Sequence, residues 1–92
     1  SPTVVDFIDI ATMDDKLGLR MEEAMLRKGS PYVGKTLIES NLRKDYGVII
    51  VLIKKSSGEM KFNPSPYEVL EANDVLVMLG MITDLQKINA II

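Results

Sequence analysis

From Ser30 to Gly80 the chain reads SPYVGKTLIESNLRKDYGVIIVLIKKSSGEMKFNPSPYEVLEANDVLVMLG. At its centre Val48-Ile49-Ile50-Val51-Leu52-Ile53 is an unbroken apolar run rich in β-branched side chains. That length and branching predict a strand rather than a helix, and the lack of alternation predicts a central strand buried on both faces. C-terminal to it, Lys54-Lys55-Ser56-Ser57-Gly58 supplies a hairpin turn into Glu59 to Phe62. Asn63-Pro64-Ser65-Pro66 cannot run through a sheet interior, because neither proline has an N–H to donate, so it is read as an extended loop leading to Tyr67 to Leu70. Asn73-Asp74 turns the chain into a last strand, Val75 to Leu79. N-terminal to the central strand, Leu37, Ile38, Leu42 and Tyr46 recur at helical spacing. They predict one helix that starts near Gly34 to Thr36 and ends at Gly47, a residue suited to a left-handed cap.

Working outward, Leu17, Leu19, Met21 and Met25 alternate with Gly18, Arg20 and Glu22, the period-two pattern of a half-buried strand. Before it, Thr12 to Lys16 reads as a connection, and Pro2 with Val4, Val5, Phe7, Ile8 and Ile10 reads as a short helix. At the other end Thr83-x-x-Gln86 fits a capping box, opening a final helix with Leu85, Ile88 and Ile91 or Ile92 on one face. The order helix, strand, helix, three strands, helix gives an α+β fold, a small and mainly antiparallel sheet with helices packed to one side.

Composition narrows function mostly by exclusion. A chain of 92 residues makes one small domain, and such domains bury only about two-thirds of the surface their unfolded chain exposes. Apolar residues make up 47% but aromatics only 5%, so Val, Ile, Leu and Met must build the core and can leave apolar surface for self-association. With neither cysteine nor histidine, disulfides, thiolate nucleophiles, histidine bases and the usual zinc or haem ligands fall away, and no enzyme site is expected. Eleven basic residues are scattered among thirteen acidic ones, which gives no footprint for nucleic acid. A six-residue apolar run is far short of the roughly 20 residues that span a bilayer as a helix. Ser1-Pro2, with no signal-like pattern, reads as an excerpt from a longer chain.

Taken together, Ser30-Pro31-x-Val33-Gly34-Lys35-Thr36-Leu37, Leu42-Arg43, Tyr46-Gly47, the Val48 to Ile53 run, Pro64-x-Pro66, Leu70, Asp74-x-Leu76 and Gly80 resemble the C-terminal, TrkA-C-like domain of the regulator-of-potassium-conductance (RCK) family. Asn73 stands where a glycine usually precedes Asp74, and Lys54 where an arginine is common; Asn also tolerates the left-handed conformation, so the turn survives. The resemblance implies a cytoplasmic regulatory, ligand-sensing and dimerisation domain of a bacterial or archaeal potassium channel or potassium transport protein. Residues 1–16 would be a connecting helix and linker from an upstream domain, and 17–92 the regulatory domain, working as a homodimer within a larger ring below a membrane pore.

The same resemblance implies a candidate ligand site at a dimer interface: Leu37, Ile38, Asn41, Leu42 and Arg43, with Pro64 and Pro66 at its edge. No cofactor is required, and the implied regulatory ligand is cyclic di-AMP or another nucleotide. Arg43 offers a bidentate fork for phosphate and Asn41 a polar handle for a base, although family members often carry Asp at that position. The plainer alternative makes Leu37, Ile38 and Leu42 the apolar face of one amphipathic helix, in a structural assembly module that binds nothing small, with Arg43 neutralising the helix C-terminus. Gly29-x-x-x-x-Gly34-Lys35-Thr36 also matches the phosphate-loop pattern of nucleotide hydrolases, but Ser30-Pro31-Tyr32 lacks the small, amide-rich character that cradles phosphate. The acidic pairs Asp14-Asp15 and Glu22-Glu23 form no calcium loop and are read as solvated surface, so no metal site is expected.

Overall fold

The computed structural model describes residues 2–12 and 17–92, so the acidic pair at 14 and 15 and most of the expected connection lie outside the described residues. Helix α1 (Pro2–Thr12) precedes strand β1 (Leu19–Met25). Two short helices follow, α2 (Leu37–Ser40) and α3 (Leu42–Tyr46), then β2 (Ile49–Lys54), β3 (Met60–Phe62), β4 (Val75–Met81) and α4 (Ile82–Ile91). The four strands form one antiparallel sheet in the order β1-β4-β2-β3.

Register fixes which side chains share a face, because directly opposed residues point the same way. Arg20, Glu22 and Ala24 of β1 oppose Gly80, Met78 and Leu76 of β4, and Leu76 in turn opposes Ile53 of β2. Leu76, Met78 and Ile53 are fully buried with Leu42 of α3 and Leu85, Ile88 and Ile92 of the C-terminal segment, so this is the helix-covered face. The opposite face carries Met21, Met25, Val77, Leu79, Ile49, Leu52, Met60 and Phe62, all half-buried or exposed.

Three expectations are corrected here. β2 is not buried on both faces: Ile53 is fully buried but Ile49 is 55% exposed, because the helices cover one side only. In β1 the apolar side chains Met21 and Met25 face the open side, while the polar alternates lie toward the helices. The Thr83-x-x-Gln86 box does not form; α4 starts at Ile82 with Met81 as N-cap and no side-chain cap bond, which puts Thr83 inside the helix.

The end of the sheet near the 55–58 turn is closed by charge. Lys55 Nζ lies 2.7 Å from both Asp74 Oδ2 and Glu71 Oε1, and Asp74 Oδ2 also accepts the Glu71 N–H at 2.9 Å. Burial pushes the Lys55 ammonium down, but its hydrogen bonds to Asp74 and Glu71 outweigh that and hold it above the ordinary lysine range. The C-terminal part of β4 is closely packed as well: a Cβ on Gly80 would sit 2.7 Å from Val48 Cγ1.

Candidate functional site

The region predicted as one helix is two. Thr36 caps α2 in a true capping box, its hydroxyl oxygen accepting the Glu39 N–H at 3.2 Å while Glu39 Oε1 accepts the Thr36 N–H at 2.9 Å. The Thr36-x-x-Glu39 spacing carries this signal in the sequence. Hydrogen bonds to the Thr36 backbone and then to its hydroxyl hold the Glu39 carboxyl below its ordinary range. After one turn Asn41 adopts a left-handed conformation, φ 57°, which ends α2 and starts α3 in a new direction. Gly47, φ 67°, ends α3 as expected, its N–H bonded to the Arg43 carbonyl.

That break turns α2 and α3 around a cavity of about 890 Å³, at the large end of the range for small-molecule pockets. All seven candidate residues line it: Leu37 and Ile38 from α2, Asn41 from the junction, Leu42 and Arg43 from α3, and Pro64 and Pro66 from the proline loop. They are not equivalent. Leu42 is a fully buried floor, whereas Ile38 is 59% exposed at the rim.

Five further residues complete the wall: Lys44, Val48, Ile49, Ile50 and Asn63. Lys44 is legible beside Arg43, but Val48 to Ile50 are hidden within an apparent core strand. β2 carries a bulge, since Ile50 opposes Met78 and Leu52 opposes Val77, leaving Val51 as the extra residue. The Val51 carbonyl accepts the Asn63 N–H at 2.8 Å, which fastens the proline loop to the bulge and forms the far lip of the cavity. Asn63 itself is left-handed, φ 46°.

Chemically the cavity has an apolar bed and two cationic side chains, Arg43 and Lys44, with no carboxylate among its lining residues. Both cations are exposed, and neither makes an ion pair with the described residues. An anionic ligand with flat apolar parts suits this arrangement. The segment from Gly29 to Thr36 has a different geometry from a phosphate loop. It follows β1, whose one partner in the sheet is antiparallel, and it leads into a four-residue helix with Thr36 engaged by Glu39.

Residues 21–92 match the family described as the TrkA-C domain. The chain belongs to the TrkA-C family. Two relatives from Bacillus subtilis (strain 168) are each 32% identical to it: the K(+)/H(+) antiporter subunit KhtT over 87 residues, and the Ktr system potassium uptake protein C over 75. The matches cover 95% and 79% of this chain but only 50% and 34% of those proteins, so this TrkA-C chain spans half of their length or less. Among solved structures, the RCK C domain of the potassium transport protein KtrA, determined in complex with cyclic di-AMP, is similar with a TM-score of 0.74 and 26% identity, covering 99% of this chain and 98% of that one. The α+β class, the antiparallel sheet with helices on one side, and the RCK C-terminal resemblance are all borne out.

Proposed function

We propose that this TrkA-C domain is a regulatory, ligand-sensing and dimerisation domain of a potassium channel or potassium transport protein, that it acts in the cytoplasm, and that it performs no catalysis of its own. Residues 1–16 connect it to an upstream domain and 17–92 carry the regulation. One observation carries the reading: Leu37, Ile38, Asn41, Leu42, Arg43, Pro64 and Pro66, from three separate segments, line a single cation-bearing cavity. The potassium-transport relatives and the cyclic di-AMP complex of the similar KtrA domain support the choice of ligand and setting. None of the described helices is long and apolar enough to cross a membrane, in keeping with a domain attached to a membrane protein rather than inserted.

In this reading the ligand's phosphates meet Arg43 and Lys44, its bases rest on Leu37, Ile38 and Leu42, and a second copy closes the open side of the cavity. Ligand that binds one arrangement of the pair more tightly than another shifts a larger assembly toward that arrangement, by no more than the difference in affinity.

Calorimetric titration with cyclic di-AMP, ATP and calcium should give one saturable isotherm, with cyclic di-AMP. At 100 times its dissociation constant the ligand should stabilise the fold by about 2.7 kcal/mol. Arg43→Ala should abolish that shift and leave the unliganded melting temperature nearly unchanged; an equal shift in variant and parent removes Arg43 from the site. A monomer by light scattering at high micromolar concentration counts against dimerisation. The apolar open face of the sheet favours a second reading, an assembly module without a small ligand, and a flat titration with a stable dimer would select it.

A further inference from the structure

The proline loop forms one lip of the cavity, yet it has no anchor in the core: no residue from Asn63 to Val69 is buried, and the first that is buried after β3 is Leu70. What the loop holds is α2. Leu37 and Ile38 donate their N–H groups to the Glu68 and Pro66 carbonyls at 3.0 and 2.9 Å, and the Leu70 N–H reaches the Lys35 carbonyl at 2.8 Å. Helix α2 is one turn long, too short to stand alone, and these loop carbonyls take the first donors that a helix leaves without an internal partner. Loop and α2 therefore form one piece, which carries Leu37, Ile38, Asn63, Pro64 and Pro66 of the cavity wall.

That piece is tied to the sheet at few points. At the base of the loop the Asn63 N–H meets the Val51 carbonyl, and at its far end Lys55 Nζ lies 3.5 Å from the Val69 carbonyl. Between them stands one side-chain pair: Lys61 Nζ donates to both carboxylate oxygens of Glu68, at 3.1 and 3.0 Å. Neither residue lines the cavity. Lys61 opposes the buried Ile53, so it leaves β3 on the helix-covered side, while Met60 and Phe62 leave it on the open side. β3 is a three-residue edge strand with β2 as its one partner in the sheet. It thus has the cavity lip on one side and the open face on the other. Glu59 Oε1 lies 4.0 Å from the same Lys61 Nζ, a second carboxylate for the ammonium to meet when Glu68 is drawn away.

We propose that Lys61 and Glu68 are positioning residues for the cavity, whose ion pair sets the place of the proline-loop lip and of α2 and passes the state of the cavity to β3. The proposal rests on the ligand-sensing reading above and adds the route by which occupancy leaves the site. Ligand that draws the lip inward moves Glu68 and, through Lys61, the strand that bears Met60 and Phe62. By reciprocity, whatever orders β3 from the open face tightens the hold on ligand by the same factor.

The experiment titrates cyclic di-AMP into the parent chain, Lys61→Met, Glu68→Gln and the double variant, well below the lowest melting temperature of the set so that binding is read from folded chain. Both residues are partly exposed, and a pair of that kind contributes little to stability, so all four should melt close together. Each single variant should bind about tenfold more weakly, and the double variant no more weakly than either, because one interaction is lost in all three. Glu68→Gln decides between positioning and simple charge: removing a carboxylate makes the region more positive, so through-space attraction alone would tighten an anionic ligand. The chain contains no tryptophan, so Phe62→Trp supplies a single reporter on the open side of β3. Its emission should change when cyclic di-AMP saturates the cavity, and that change should vanish in Phe62→Trp combined with Lys61→Met, even at saturation. Parent-like or tighter binding by Glu68→Gln, additive losses in the double variant, or a reporter change that survives Lys61→Met overturns this inference alone. A parent chain that binds no cyclic di-AMP overturns the ligand-sensing reading and this one with it.

Discussion

The two faces of the sheet are built from similar residues and end in different environments. On the helix side, Leu76, Met78 and Ile53 are at most 1% exposed, packed under α3 and α4. On the other side, Phe62 is 78%, Met60 63% and Ile49 55% exposed. Helix α1 contacts β1 yet leaves its own Val4, Val5, Phe7 and Ile8 exposed. Composition alone does not make a core; an apolar strand face is buried only where another element arrives to cover it. The covered face accounts for the stability of the single chain, and the open face and the cavity beside Ile49 are available for what binds.

Substitutions on the two faces can break that contrast. Leu76→Ala on the covered face should cost roughly 2–5 kcal/mol by chemical denaturation, since the site is enclosed and leaves a cavity. A loss under about 1 kcal/mol would mean that the covered face is loosely packed. Gly80→Ala should cost about 1–3 kcal/mol, because its new methyl group meets Val48 at 2.7 Å. It should also weaken ligand binding, as Val48 lines the cavity; undiminished binding would show that the Val48 wall is not felt by ligand.

Removing the helix cap sharpens the comparison at the cavity's edge. Thr36→Ala should cost about 1 kcal/mol. The Glu39 carboxyl that completes the cap is held below its usual value by that hydrogen bonding, so its stabilising contribution is present above the ordinary carboxylate range and is lost as pH falls through the lowered value. An acid titration of stability that is the same in Thr36→Ala and parent would detach Glu39 from the cap. Lys55 works the other way: its raised value makes its contribution full below the ordinary lysine range and lost as pH climbs past it. The smallest effect belongs to the open face, where Phe62→Ser should change single-chain stability by less than about 0.5 kcal/mol. If a second copy covers that face, the same variant should instead lower self-association, and the concentration dependence of the parent's melting temperature should shrink with it.

Much of this was legible along the chain. The Val48 to Ile53 run, the 54–58 turn, the left-handed Gly47 and the Asn73-Asp74 turn are local signals, each a statement about branching, missing N–H groups or positive φ that holds whatever surrounds it. The resemblance picked out Leu37 to Arg43 and the two prolines as a set, and the structure places that set around one cavity. Less legible was the break at Asn41, because an asparagine inside a helical pattern is ordinary until its φ of 57° redirects the chain. Thr36-x-x-Glu39 and Thr83-x-x-Gln86 carry the same box signal, yet only the first begins at a helix boundary.

The sequence by itself determined the placement of the four strands along the chain, the α+β class and the absence of thiol and imidazole chemistry, because these follow from residue type and short-range spacing. Only the tertiary structure decided which face of β2 is covered, that Val51 bulges, and that Val48, Ile49, Ile50 and Asn63 join the cavity wall. Those outcomes depend on register against β4 and on the Asn63 to Val51 hydrogen bond, contacts between residues far apart in the chain whose partners no local pattern names.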